Sequence, residues 1–137
     1  MADIDKSDLY SDLRPVAGNR HLDDVRNLMV LACNLHEAKE NVYKLSFCRR
    51  GIVGIWMNVS RKYDRIDAMA SEENYRDFTF IDTLFDVAVY ALKFVAILRK
   101  LYPAAFDKWL KNVYCEYTGI VYEEVVETMK LEATDER

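Results

Sequence analysis

Carboxylates recur in pairs at helical spacing in this chain: Glu37 with Glu40, Asp64 with Asp67, and Asp82 with Asp86. Spacings of three and four residues put both members of a pair on one helix face. The last pair is the most demanding, because it lies in YRDFTFIDTLFDVAVYALKFVAILRKL (75–101), a stretch that is apolar almost all round. A carboxylate in such a setting has to be protonated, paired with a cation or bound to a metal. Carboxylates on facing helices can hold Mg²⁺, with the phosphates of a substrate completing its oxygen shell. Each pair also has a plainer explanation as a solvated or salt-bridged surface pair; Lys39 and Lys44, for example, flank Glu37 and Glu40.

Basic residues form the other half of the constellation. Arg49, Arg50, Arg61, Lys62 and Arg65 fall within 17 positions of a chain whose formal charge is −4. Arg61 and Arg65 are one turn apart, and the guanidinium fork suits bidentate contact with phosphate. Asn58 shares their helix, and Lys93 lies two turns beyond Asp86. Tyr43, Tyr63 and Tyr90 can stack on a base or simply fill a core. The plainer account of the basic cluster is a charge-balanced surface partnered by Asp64, Asp67 and Glu72. His21 and His36 have no Cys or Ser at a useful spacing and read as structural or exposed. Arg50-Gly51-Ile52-Val53-Gly54 lacks the lysine and the preceding strand of a phosphate-binding P-loop. No nucleophile–base pair of the triad type is visible.

The elements that must position these residues are helices. With four glycines and two prolines in 137 residues, the chain has few turn signals for a β fold. The class expected is all-α, a bundle of four to five helices in a single domain over 20–131. Residues 1–19, ending in Pro15 and Gly18, read as a loose arm that Leu9, Tyr10 and Leu13 can dock. A first helix begins near Asp23 and Asp24, whose charges suit a helix N-terminus, and keeps a 3.6-residue apolar period to Val42. A bend at 47–54 leads into a helix over about 52–69, where Ile52, Ile55, Trp56, Val59, Tyr63, Ile66 and Met69 form a stripe. A polar link (ASEENY) precedes the 75–101 helix. Further helices are expected over about 103–115 and 120–131, with 132–137 fraying.

The acidic balance argues against duplex nucleic acid as a partner. Cys33, Cys48 and Cys115 follow no metal-ligand or disulfide pattern, which points to reduced thiols and a cytoplasmic setting. The polar N-terminus is not a signal peptide, and every long apolar run is interrupted by charge, so no membrane span is expected.

Two strings carry a resemblance: RRGIVGIWMNVSRKYDRI (49–66) and IDTLFDVAVYALKF (81–94). They resemble MazG-like all-α nucleoside triphosphate pyrophosphohydrolases, of the phage and bacterial nucleotide-modification-associated type, over about residues 35–95. The resemblance implies a helical bundle assembling as a dimer or higher homo-oligomer. It implies Mg²⁺-dependent cleavage of a (d)NTP to monophosphate and pyrophosphate. By matching position, Asp64, Asp82 and Asp86 would hold the metal, and Glu37 or Glu40 would add a ligand or orient water. Arg50, Asn58, Arg61, Lys62, Arg65, Tyr90 and Lys93 would contact substrate. The chain departs from the family pattern at Thr83, where a Glu is usual, and at Val42 and Lys44, where Asp and Gly are usual. These departures motivate a second reading, a protein that binds a nucleotide or nucleotide-derived signal without turning it over. A third is a helical interaction module using the tyrosine-rich segment around Trp109.

Overall fold

A computed structural model describes the backbone of residues 9–135 and the side chains of residues 9–129. Residues 1–8 of the expected arm and 136–137 of the expected tail lie outside the described residues. The described chain is all-α, with no strand among the described residues. A short helix α1 (Arg14–Ala17) precedes α2 (His21–Tyr43), a 3-10 turn (Ser46–Cys48), α3 (Gly51–Ser71) and α4 (Phe78–Leu101). Then come α5 (Pro103–Trp109), a π-helical turn (Leu110–Tyr114), α6 (Cys115–Thr118) and α7 (Tyr122–Asp135). No helix among the described residues is long and apolar enough to cross a membrane.

Local chemistry sets the boundaries. Asp23 and Asp24 lie in the first turn of α2, where their charge meets the positive end of the helix dipole. The helix stops where Lys44 takes φ 53 and ψ −134, its N–H still donating to the Glu40 carbonyl at 2.6 Å. Gly51 opens α3 at φ 67, a conformation that glycine adopts without steric penalty. The 75–101 helix starts three residues later than expected. Asp77 is the reason: its Oδ1 accepts from the Thr79 N–H at 2.9 Å and from the Thr79 hydroxyl at 2.8 Å, which caps α4. Those donors hold the Asp77 carboxyl below the usual carboxylate range. Beyond Pro103 the expected helix is present and runs on to Thr118 as α5, the π-turn and α6 without a break, and α7 continues to Asp135 into the span expected to fray.

The chain divides into two compact units, 1–92 and 93–137, with the division inside α4, where the sequence suggests one span over 20–131. In the first unit, α2 contributes buried Ala32 and His36, α3 contributes Ile55, and α4 contributes Thr83. Among the described residues of this unit, Ala32 and Ile55 are the buried apolar side chains. Trp56 and Tyr63, expected on the buried stripe of α3, are exposed, as are Ile81, Leu84 and Leu92 on α4. A helix apolar on every side needs neighbours on every side, whereas side chains of α2 and α3 meet α4 at Asp86 and Tyr90. In the second unit Leu110 is buried beneath an aromatic cluster, with ring centroids 5.7 Å apart for Phe106–Trp109 and 6.3 Å for Trp109–Tyr114. The Tyr122 hydroxyl donates to Asp107, tying α7 to α5, and Lys111 lies 3.2 Å from the same carboxylate and 4.5 Å from the Tyr122 ring centroid. An apolar cavity of about 460 Å³ opens beside this cluster.

Candidate functional site: a charge cluster and a guanidinium pocket

Asp86 is the hub of the first unit. Its Oδ1 accepts from the Lys39 ammonium at 3.2 Å and its Oδ2 from the Lys62 ammonium at 3.2 Å, while the Nε2 of His36 lies 3.2 Å from Oδ1. α2 delivers His36 and Lys39 by their three-residue spacing, which puts both on one face. α3 delivers Lys62, whose ammonium also lies 4.8 Å from the centre of the Tyr90 ring. Tyr90 stands one turn beyond Asp86 and meets His36 edge-on at 5.5 Å and Phe47 edge-on at 6.4 Å. Burial alone would raise the Asp86 carboxyl. The Lys39 hydrogen bond and the charge of Lys62 outweigh it and hold the carboxyl below its ordinary value of 3.8. Asp86 is thus an anion compensated by two cations, with its side chain only 16% exposed.

The remaining acidic candidates are elsewhere. Asp82, Asp64, Asp67 and Glu37 are exposed, and Glu40 is half-buried. No ion pair of Asp64, Asp67 or Asp82 is present among the described residues. Thr83, standing where the resembled pattern has a Glu, is 3% exposed, and its hydroxyl donates to the Thr79 carbonyl at 2.8 Å. It is a buried helix residue satisfied by its own backbone. A Mg²⁺ shell needs several oxygen donors converging on one point. No group of three His, Cys, Asp or Glu side chains converges in that way among the described residues. Both oxygens of Asp86 already face ammonium groups.

The basic candidates fare differently. Arg49, Arg50 and Arg61 line a cavity of about 270 Å³ together with Ser46, Phe47, Gly54 and Asn58. None of the three guanidinium groups forms a salt bridge among the described residues, although acidic residues outnumber basic ones in the chain, 23 to 19. Arg65 and Lys93 are outside this cavity; Arg65 is exposed and Lys93 is half-buried on α4. No family model, curated protein or solved structure matches the chain.

Gly54 is built into this pocket. A Cβ there would stand 2.6 Å from the Cβ of Arg50, so the one-turn approach that aims Arg50 depends on glycine. An exposed helical Gly→Ala change ordinarily stabilises by up to about 1 kcal/mol. Here Gly54→Ala is expected to destabilise by about 1–3 kcal/mol through overpacking and to displace Arg50. Circular-dichroism melting checks the first effect; an unchanged or higher Tm would contradict it.

The sequence pointed to the cavity through Arg49, Arg50, Asn58 and Arg61, but missed His36 and Lys39 as partners of Asp86. A signal was available: Ala32, His36 and Lys39 are spaced four and three apart, the rhythm of an inward helix face, and both buried α2 residues fall on it.

Proposed function

We propose that the first unit binds a phosphorylated small molecule of the nucleotide class, with Arg49, Arg50 and Arg61 on its phosphate oxygens. The supporting observation is three arginines, without carboxylate partners among the described residues, lining one cavity of an acidic protein. Guanidinium forks match phosphate geometry, and charge-assisted hydrogen bonds of this kind are about twice as strong as neutral ones. Asn58 adds an amide able to donate or accept. At about 270 Å³ the cavity suits a di- or triphosphate group better than a whole nucleotide. The base would lie outside it, within reach of exposed aromatic surface. The resemblance gains a further argument from Lys44: its positive φ is the conformation expected where the resembled pattern has glycine.

The direct test is calorimetric titration of the protein with pyrophosphate, ATP and dATP, each with and without Mg²⁺. Micromolar binding that survives removal of Mg²⁺ supports the reading, and no heat with any of them overturns it.

Hydrolysis of a (d)NTP by a Mg²⁺-dependent route is the second reading, favoured by Asp82, a carboxylate one turn from Asp86 that carries no ion pair among the described residues. It requires Lys39 and Lys62 to leave Asp86 when metal arrives. Pyrophosphate release from a (d)NTP panel, lost in Asp82→Asn, would establish it. Absence of release alongside tight binding would leave the binding protein as the function.

A further inference from the structure

The π-helical turn Leu110–Tyr114 rearranges the aromatic side chains of the second unit. In an unbroken α-helix, residues five apart point about 140° away from each other. The wider turn brings the rings of Trp109 and Tyr114 to 6.3 Å between centroids, and Phe106 stands 5.7 Å from Trp109. These three rings line the cavity of about 460 Å³, together with the buried Leu110. Trp109 is 48% exposed, so part of its indole is open to a ligand. Glu124, in the first turn of α7, is the charged residue of that lining, and it forms no ion pair among the described residues. Two cations of the unit already use its aromatic rings. The Arg99 guanidinium stands 5.3 Å from the centre of the Phe106 ring and lines a separate cavity with Asp107. Lys111 is held between Asp107 and the Tyr122 ring. Neither lines the larger cavity, whose charge is therefore negative among the described residues.

We infer that this cavity binds a small organic cation, a quaternary ammonium carrying an apolar group. Ring faces attract a cation through their quadrupole, and Trp is the strongest of the aromatic residues in this role. The Glu124 carboxylate adds the opposite charge that such a ligand needs, and it repels an anion. The volume falls within the range of about 300–1,000 Å³ usual for small-molecule sites, so the cavity has room for an apolar group beside the charged head. A quaternary head suits the lining better than a primary one. A primary ammonium brings three N–H donors that each need an acceptor, whereas this lining is mostly ring and hydrocarbon. A quaternary nitrogen has no N–H and presents methyl groups to the rings. This inference is independent of the guanidinium pocket, which lies in the first unit and has the opposite charge.

The experiment is titration of the full chain with benzyltrimethylammonium, read by calorimetry and by the proton resonance of the probe's N-methyl groups. Binding with a Kd below about 1 mM is expected, with the N-methyl resonance moved upfield by the ring currents of the cluster. Benzyl alcohol, neutral, should bind at least about 10-fold more weakly, and benzylsulfonate, an anion with a head of similar shape, should not bind. Glu124→Gln removes the charge but keeps the shape, and should weaken the cation about 10-fold. Glu124 is exposed, so this variant should fold as the parent does. Glu123→Gln removes an exposed carboxylate of the same helical turn that does not line the cavity, and should leave the affinity unchanged. Absence of binding at tens of millimolar probe would overturn the inference. So would equal affinity for benzyl alcohol or benzylsulfonate, or equal losses in the Glu123 and Glu124 variants.

Discussion

Replacing Asp86 by Ala is expected to lower stability by about 2–3 kcal/mol, between the roughly 3–5 kcal/mol of a broken buried pair and the less than about 1 kcal/mol of a surface pair. The intermediate figure follows from exposure: the Asp86 side chain is 16% accessible, Lys62 22% and Lys39 35%. Removing the carboxylate leaves two ammonium groups facing each other near the buried His36, with nothing between them. For a domain of this size the loss corresponds to a Tm lower by roughly 8–12 °C. Asp86→Asn keeps the shape and a hydrogen-bond acceptor, and should show a smaller loss. The pH dependence separates charge from packing. Because the folded-state carboxyl is held below its ordinary value of 3.8, its contribution is fully present above that value and is lost as pH falls through the depressed one. The Tm difference between parent and Asp86→Asn should therefore narrow as pH falls below about 4. A difference independent of pH would show that Asp86 acts through packing alone.

Removing two arginines from the pocket should have the largest effect on binding. Arg50→Ala with Arg61→Ala is expected to weaken pyrophosphate or ATP binding by about 100- to 10,000-fold, at about 1.5–3 kcal/mol for each charge-assisted hydrogen bond removed. Both residues are exposed and form no salt bridge among the described residues, so stability should stay within about 0.5 kcal/mol of the parent. That combination distinguishes a binding role from a structural one. Arg→Lys at the same positions keeps the charge but gives up the fork, and should recover only part of the affinity. Arg65→Ala, outside the cavity, is the internal comparison and should leave binding near the parent value. Calorimetry at two salt concentrations reads every variant. Equal affinity in the double variant and the parent would remove the pocket from any role in phosphate binding.

The helices were legible because their signals are local. Apolar period, scarce glycine and proline, and acids at the start of α2 are properties of neighbouring residues, and they yield an all-α chain with nearly the observed elements. The start of α4 was misplaced by three residues because the periodic pattern runs back to Tyr75, while the decisive residue was a cap: Asp77 followed two positions later by Thr79. The partition of α4 was half legible. Its carboxylates demanded compensation, and compensation is present at Asp86, but by Lys39 and Lys62, which lie 47 and 24 positions away. Pairings over such separations depend on how α2, α3 and α4 pack, which no local spacing encodes. Asp82, one turn earlier, is exposed, so the two members of that pair have different surroundings although they share a helix. The expectation that α4 is enclosed failed in the isolated chain for a related reason. Hydrophobicity records that a face is apolar, but not whether the rest of the chain packs on it.

The link after α2 carries a further consequence. Lys44 stands at φ 53 and ψ −134, between the end of α2 and the 3-10 turn bearing Phe47. An L-residue held there stores about 1–3 kcal/mol of conformational energy, and that energy is released whenever the link lets go. The joint between α2 and the pocket wall is then where local opening is expected before global unfolding. Lys44→Gly should relieve it, raising the Tm by a few degrees and slowing amide hydrogen exchange at Ser46–Cys48. The stiffness of the pocket's outer wall would thereby be set by one backbone angle rather than by any side chain that touches a ligand.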